Sequence, residues 1–293
     1  MSTRPTPIGK PDCVSGLLLD AIARLTETLA LGKHIARLEA RILAAFAWNV
    51  APSWLVAHDT DSLNHEQVTH FQTLLHRRLN GEPIAYITAH REFYGRKFHV
   101  TPDVLIPRPE TELLVELALA QIPHDQTIEV LELGTGSGCI AISLALERPR
   151  ARITAIEHSS AALTIAQVNA STLQAELELL KSDWFTALQH RTFDLIVSNP
   201  PYVATADPHL SRGDVRFEPP AALMSGREGT DDLQYIIAMA PRFLKPGGSV
   251  LLEHGFDQRI AVQNFMQCAG YSDINHWADL SNSDRVSSGK ASK

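Results

Sequence analysis

The chain has 293 residues, 44% of them hydrophobic, with a formal net charge of −7 and a pI near 6.0. That is enough apolar material for one large or two ordinary domains, and no apolar run approaches the roughly 20 residues needed to span a membrane. The acidic balance argues against broad phosphate-driven binding of nucleic acid, and three widely spaced cysteines, Cys13, Cys139 and Cys268, fit reduced thiols in a cytoplasmic protein. Residues 1–13 are proline-rich and lack the apolar centre of a signal peptide, so a disordered leader is expected. From Val14 to about Asn80, apolar residues recur at helical spacing, as in Leu17, Leu18, Ala21, Ile22 and Leu25, or Ile35, Leu38, Ile42, Leu43 and Phe46. Residues 14–90 should therefore form a small helical domain. Within it, Asp61-Ser62-Leu63-Asn64 supplies turn and cap residues before a helix from Glu66 to Leu79 that Gly81 ends. Arg24, Lys33, His34, Arg37, Arg41, His76, Arg77 and Arg78 concentrate positive charge in this part, either as solvated helix faces or as a patch for an acidic or RNA-associated partner.

Between 91 and 108 the pattern shifts to short extended pieces, Glu92-Phe93-Tyr94 and Lys97-Phe98-His99-Val100, interrupted by Gly95-Arg96, which predicts a β-hairpin linker. From 109 to 293, strand-like and helix-like segments alternate, which predicts an α/β domain with a mostly parallel sheet covered on both faces. Its last segment, Asp284 to Gly289, is expected to close the sheet as an antiparallel edge strand.

Two motifs in this part point to chemistry. Ile128 to Leu133 has strand character and runs into Gly134-Thr135-Gly136-Ser137-Gly138 and then the helix-like Cys139 to Leu146. The G-x-G-x-G spacing lacks the third glycine of the dinucleotide fingerprint, where Cys139 stands, and no lysine follows as in a P-loop; a small adenosyl ligand fits better. Cys139 itself reads as a packing residue. A second strand, Ala151 to Ile156, ends in Glu157, roughly 20 residues past the loop, where an acid usually accepts ribose hydroxyls. A third, Leu177 to Lys181, leads to Ser182-Asp183-Trp184, an acid and an indole suited to flank an adenine ring, although Trp184 reads equally as a core aromatic. Finally, Phe193 to Ser198 runs into Asn199-Pro200-Pro201-Tyr202. Two prolines keep the carbonyls of Asn199 and Pro200 out of a helix, Asn199 adds a side-chain oxygen and Tyr202 a flat ring, so acceptors converge where a planar group bearing NH2 would fit. Alone, a strand followed by a proline turn accounts for this tetrapeptide as well. The thirteen histidines are scattered, and no metal is expected.

Glycine loop, acid, acid–indole pair and N-P-P-Y together resemble the class I methyltransferases that use S-adenosyl-L-methionine on amino or amide nitrogens. Further landmarks are Arg78 to Ile87 with its G-E-P-I-A-Y, Arg91-Glu92-Phe93-Tyr94-Gly95, Leu105 to Glu112 with its I-P-R-P-E-T-E, Arg216-Phe217-Glu218-Pro219, and Gly247 to Gly255. These are similar to the PrmC/HemK family, peptide chain release factor glutamine N5-methyltransferases, from about Leu38 to about Val286. The resemblance implies a Rossmann-like domain with seven strands over 109–293 and a substrate-binding role for the helical domain. It implies S-adenosyl-L-methionine as cofactor and release factors as protein partner, in a monomer that binds neither nucleic acid directly nor membrane. By the same likeness Asn199, Pro200 and Tyr202 would be catalytic, with Pro201 also touching substrate. Glu132, Gly134, Thr135, Gly136, Ser137, Gly138, Glu157, Asp183, Trp184 and Asn199 would contact the cofactor. The I-P-R-P-E-T-E block is expected to border the pocket, with Thr111 and Glu112 behind it. The family more often carries aspartate where Glu132 and Glu157 stand; either acid can accept a hydrogen bond. An adenine N6-methyltransferase acting on DNA or RNA is the alternative, since an exocyclic amine meets the same acceptors.

Overall fold

The computed structural model describes residues 13–291, and the chain divides into two compact units between Ala89 and His90. The expected leader lies outside the described residues except for Cys13, which is buried and accepts a hydrogen bond from the Gly16 amide through its thiol, capping the first helix.

The first unit is helical throughout: α1 (Val14–Leu29), α2 (Lys33–Trp48), the short α3 (Trp54–Ala57), α4 (His65–Leu79) and α5 (Ile84–Thr88). Asn64 caps α4 in a reciprocal box, accepting from the Gln67 amide at 2.9 Å while the Gln67 side chain accepts from the Asn64 amide at 3.1 Å. Its core includes Leu25, Leu43, Phe71 and Leu75. Of the periodic residues expected to form the α2 seam, only Leu43 is inside; Ile35, Leu38, Ile42 and Phe46 are 45%, 50%, 37% and 41% exposed. The buried stripe is instead Ala36, Ala40, Leu43, Ala44 and Trp48, because small side chains let α1 and α4 approach the helix closely. Part of the expected basic patch is spent inside the unit. Arg78 is buried and pairs with Glu39 at 2.8 Å while donating to the carbonyls of Gly81 and Glu82, and Arg77 pairs with Glu82, so the G-E-P block is held as the turn between α4 and α5.

The second unit begins with the hairpin β1 (His90–Phe93) and β2 (Arg96–His99). The turn is Tyr94-Gly95, both at positive φ (49° and 69°) as a type I′ turn requires, so Arg96 belongs to the strand rather than to the turn. Phe93 and Phe98 bury their rings in the core of the unit. Then follow α6 (Glu112–Gln121), β3 (Glu129–Leu133), α7 (Cys139–Glu147), β4 (Arg152–Glu157), α8 (Ser160–Leu173), β5 (Glu178–Lys181), β6 (Phe193–Ser198), α9 (Asp231–Met239), β7 (Leu244–Glu253), α10 (Arg259–Cys268), β8 (Ser272–Ala278) and β9 (Asp284–Lys290). They form a seven-stranded sheet in the order β5-β4-β3-β6-β7-β9-β8, in which β9 runs antiparallel to both its neighbours, β7 and β8, and the other pairs are parallel. β9 is therefore not the edge strand expected: it lies between β7 and β8, its Val286 to Gly289 buried, while β8, mostly polar and exposed, takes the edge. Alternation sends Val130, Leu195, Val197 and Leu251 to the face covered by α6 and α7, and Leu131, Ile196, Val250 and Leu252 to the face covered by α9 and α10.

Replacing Asn64 with Ala removes the α4 cap and should lower the stability of the helical unit by about 1 kcal/mol, read from urea unfolding followed by helical circular dichroism; an unchanged midpoint would show the box to be idle.

Candidate functional site

Parallel pairing places the carboxyl ends of β4, β3, β6 and β7 along one edge of the sheet: Leu133 pairs with Ile156 on one side and with Ser198 on the other, and Ser198 pairs with Leu252. The residues that follow are Gly134, Glu157, Asn199 and Glu253, and a cavity of about 520 Å3 opens over this edge. Such a crevice is where open α/β sheets bind small molecules.

The glycine loop forms one wall. Gly136 has φ 55°, and a Cβ there would meet no protein atom within 4 Å, so the space above it is open to a ligand. Gly138 is needed for another reason: at φ 83° it begins α7, and a Cβ would come within 2.7 Å of Ile142 Cδ1. Two carboxylates shape the loop from below. Glu132 is buried, and its Oε2 accepts from the Thr135 hydroxyl at 2.5 Å and the Ala141 amide at 3.0 Å. Burial pushes its pKa up to about 7, against those two hydrogen bonds. Glu157 accepts from the Gly136 amide at 2.9 Å and from the Ser159 amide at 2.8 Å. Both acids line the cavity, as do Thr135 and Ser137, whose side chains are buried. Their extra methylene relative to aspartate is taken up by these bonds to the loop.

Asp183 and Trp184 line the cavity next to the start of the glycine loop. Asp183 is exposed, with His158 Nδ1 at 3.9 Å, and the half-buried Trp184 ring lies 3.7 Å from where a Gly134 Cβ would sit. Trp184 both packs on the core and borders the cavity.

The N-P-P-Y segment closes the far end. Asn199 Nδ2 donates to Thr111 Oγ1 at 3.1 Å, and its Oδ1 makes no hydrogen bond among the described residues. An amide donating from one end to a fixed acceptor has its oxygen aimed the other way. Asn199, Pro201 and Thr111 line the cavity, whereas Pro200 is buried and Tyr202 stands behind it, donating its phenol to Glu253 Oε1 at 3.2 Å. Burial first, and then the Glu253 charge, hold the Tyr202 phenol in its protonated form far above the ordinary range.

The remaining motifs are structural supports for this cavity. Val104 to Thr111 contributes Val104, Leu105, Pro107, Arg108 and Thr111 to its lining. Arg108 pairs with the buried carboxylate of Glu218, from R-F-E-P, which also accepts from the Ile106 amide at 3.0 Å and so ties two walls together. Glu112 turns away from the cavity and accepts from the Tyr94 amide at 2.8 Å, holding the hairpin. Arg108, Glu218 and Glu253 are legible in the sequence only as members of landmark blocks, with no role attached; for Glu253 the signal available is its place at the end of the apolar run next to the N-P-P-Y strand. Cys139 is buried, with its thiol pKa driven up by desolvation, as a packing residue should be. Among the described residues no group of His, Cys, Asp and Glu is arranged to hold a metal ion, and no helix is long and apolar enough to cross a membrane.

Glu132 carries a pH signature. Its folded pKa lies above the ordinary 4.5, so the folded state holds this proton more tightly, and the associated stability is full below about pH 4.5 and lost as pH rises through about 7. The Glu132→Gln variant should show a shallower decline across that window in urea titrations at a series of pH values; a slope equal to that of the unaltered protein would contradict the assignment.

Two family models match the chain, a PrmC N-terminal domain over residues 17–88 and a methyltransferase small domain over 110–213. Release factor glutamine methyltransferases of Bordetella pertussis (45% identity, covering 90% of this chain and 98% of the relative), Burkholderia pseudomallei (43%, covering 99% and 98%) and Escherichia coli (43%, covering 87% and 92%) align along nearly their full lengths. Among solved structures, a Pyrococcus furiosus methyltransferase superposes with a TM-score of 0.53 at 18% identity, covering 76% of this chain and 100% of that one. A 16S rRNA methyltransferase of T. thermophilus, solved with AdoMet and guanosine, gives 0.51 at 21%, covering 69% and 49%. These two likenesses establish the class I methyltransferase fold. Identity over nearly whole lengths goes further: the chain belongs to the release factor glutamine methyltransferase family.

Proposed function

We propose that this chain transfers a methyl group from S-adenosyl-L-methionine to the side-chain amide nitrogen of the glutamine in the Gly-Gly-Gln loop of peptide chain release factors, in the cytoplasm where those factors act. The observation that carries the reading is the orientation of Asn199, whose Nδ2 is occupied by Thr111 and whose oxygen is therefore left for a donor at the cavity. The cavity residues suit the cofactor. Open space above Gly136, a carboxylate at Glu157 and an indole at Trp184 match an adenosyl group, and about 520 Å3 falls within the roughly 300–1,000 Å3 of small-molecule pockets. Glu157 would accept from the ribose, Asp183 and Trp184 would flank the adenine, and the loop from Gly134 to Gly138 would lie along the ligand. When bound, the cofactor supplies an electrophilic methyl group on a sulfonium.

What the chain must do is make a poor nucleophile react. The lone pair of a carboxamide nitrogen is delocalised into its carbonyl, so the group has to be oriented and its gathering positive charge met. Asn199 Oδ1 and the Pro200 carbonyl, held apart from helical hydrogen bonding by the two prolines, each accept one N–H of the substrate amide and present its nitrogen. The same dipoles face the nitrogen as it becomes cationic and until its extra proton departs, and they need no reorganisation to do so. Tyr202, tied to Glu253 and held at its backbone carbonyl by Gln258 at 2.9 Å, stiffens the turn that carries these acceptors. An adenine amine would satisfy the same oxygens, but relatives aligned over nearly their full lengths are named for glutamine, and a net charge of −7 offers no general attraction to phosphates.

The helical unit supplies the hold on the protein substrate in this reading. The exposed stripe Ile35, Leu38, Ile42 and Phe46 runs along one face of α2 beside Arg37 and Arg41, an apolar strip with basic flanks.

Replacing Asn199 with Ala should cost on the order of 3 kcal/mol in the chemical step, roughly a hundredfold in kcat, measured by mass spectrometry of the release-factor peptide over time; a rate within about threefold of the unaltered enzyme would refute the role of Asn199. Changing Leu38 and Ile42 together to Glu should raise KM for the release factor by about tenfold or more while leaving cofactor affinity alone, because each buried aliphatic side chain contributes about 1.5–3 kcal/mol. An unaltered KM would move the docking surface elsewhere.

A further inference from the structure

Glu253 is the last residue of β7, one position beyond Leu252, which pairs with Ser198 of β6. It therefore emerges beside Asn199 at the same sheet edge, yet it is 1% exposed and does not line the cavity. Its Oε1 accepts from the Tyr202 phenol at 3.2 Å, the Thr111 hydroxyl also faces its carboxyl, and its buried Oε2 has no hydrogen-bond partner among the described residues. A buried carboxyl with an empty oxygen is costly. Thr111 braces the first residue of N-P-P-Y, and Tyr202, its last, is braced by Glu253. Thr111 receives the Asn199 amide N–H, so its own hydroxyl proton is free to go to Glu253, and this direction of donation aims Asn199 Oδ1 at the cavity.

We propose that Glu253 is a positioning residue for methyl transfer: its ionised carboxylate accepts from Thr111 and Tyr202 and thereby holds Asn199 and the N-P-P-Y turn in the orientation that receives the substrate amide. The proposal rests on the function given above and deepens it, by making the acceptor geometry depend on a charge one layer behind. Both neighbouring hydroxyls are donors to Glu253, which the ionised form serves, whereas a protonated Oε2 would add a donor with no acceptor. The groups that face the carboxyl come from every element around it: Arg285 of β9 favours its charge, Glu110 beside Thr111 opposes it, and Cys139 of α7 is neutral. Burial outweighs the favourable contacts and pushes its pKa up to about 7. The turnover of the enzyme should therefore rise with pH through neutrality as Glu253 loses its proton, with Thr111 and Tyr202 reoriented below that point.

The test is the pH profile of kcat with saturating S-adenosyl-L-methionine and a release factor, for the unaltered enzyme and for Glu253→Gln. The expected result is a rising limb near neutrality that disappears in the variant, with kcat lower by about tenfold or more and both KM values within about twofold, as for loss of an orienting contact behind a reacting group. A limb that persists unchanged in Glu253→Gln, or an unaltered kcat, would overturn the proposal. So would a variant that only melts at lower temperature with the same profile, since a purely structural carboxyl would do that. Glu132, whose pKa is also raised to about 7, is the other source of such a limb, and Glu253→Gln would leave its limb in place. If Glu253→Gln does not fold, Thr111→Val and Tyr202→Phe decide. Each removes a donor to the carboxylate and should move the limb to higher pH, and a limb that moves in neither contradicts the proposal. Failure of the unaltered enzyme to methylate any release factor would instead sink the function on which the proposal rests.

Discussion

The hydrogen bond from Asn199 Nδ2 to Thr111 Oγ1 is the contact on which the site depends, because a carboxamide has two chemically opposite ends and only one of them can serve a substrate that is itself an N–H donor. The rest of the unit works to make that bond possible. Parallel pairing of β3 with β6 and of β6 with β7 brings the strand ends into line, so the glycine loop, Asn199 and Glu253 leave the sheet side by side. The segment ahead of α6 brings Thr111 across, and the Arg108–Glu218 pair keeps that segment against the wall formed by the chain after N-P-P-Y. A single interaction of about 1 kcal/mol is thus backed by a strand register and by an ion pair whose carboxylate is fully buried.

The two buried glutamates express the same trade. Glu132 and Glu253 are each about 1% exposed, and burial, working against the hydrogen bonds each accepts, raises the pKa of both to about 7. A raised carboxyl pKa means that the folded state disfavours the charged form, so ionising either group draws on the stability of the fold. Glu132 holds both Thr135 and the first turn of α7 through its Oε2, which ties the glycine loop to the helix that follows it. The stability forgone at these two positions is the cost of fixed acceptors in a place where water would otherwise supply them.

Much of the catalytic unit was legible in the sequence because its strands are buried on both faces and read as continuous apolar runs. β6 lies where the residues Phe193 to Ser198 suggested, and β3, β4 and β5 begin within a residue of expectation. Less legible were elements in which the deciding term is tertiary. β8 is mostly polar and edge-exposed, so its residues mark a strand only weakly, and without it the sequence pattern puts β9 at the edge. In α2 two apolar stripes share the helical period, one of alanines and one of large side chains, and periodicity cannot say which faces the core; close approach of α1 and α4 selects the alanines. In the hairpin, Arg96 joins the strand because Tyr94 accepts a positive φ that side chains seldom adopt. At the site, the motif residues could be named from spacing, but the division of labour could not. That Thr111 meets Asn199, that Glu112 turns to the hairpin and that Glu253 stands behind Tyr202 all depend on contacts across 18 to 88 positions of chain.

The direct test of the account is a crystal structure of the enzyme with S-adenosylhomocysteine and a release factor whose Gly-Gly-Gln loop is seated in the site. The account predicts the glutamine carboxamide nitrogen within hydrogen-bonding distance of Asn199 Oδ1 and of the Pro200 carbonyl, with Asn199 Nδ2 still on Thr111. A glutamine held by other groups, or an Asn199 amide turned so that its nitrogen faces the substrate, would contradict it.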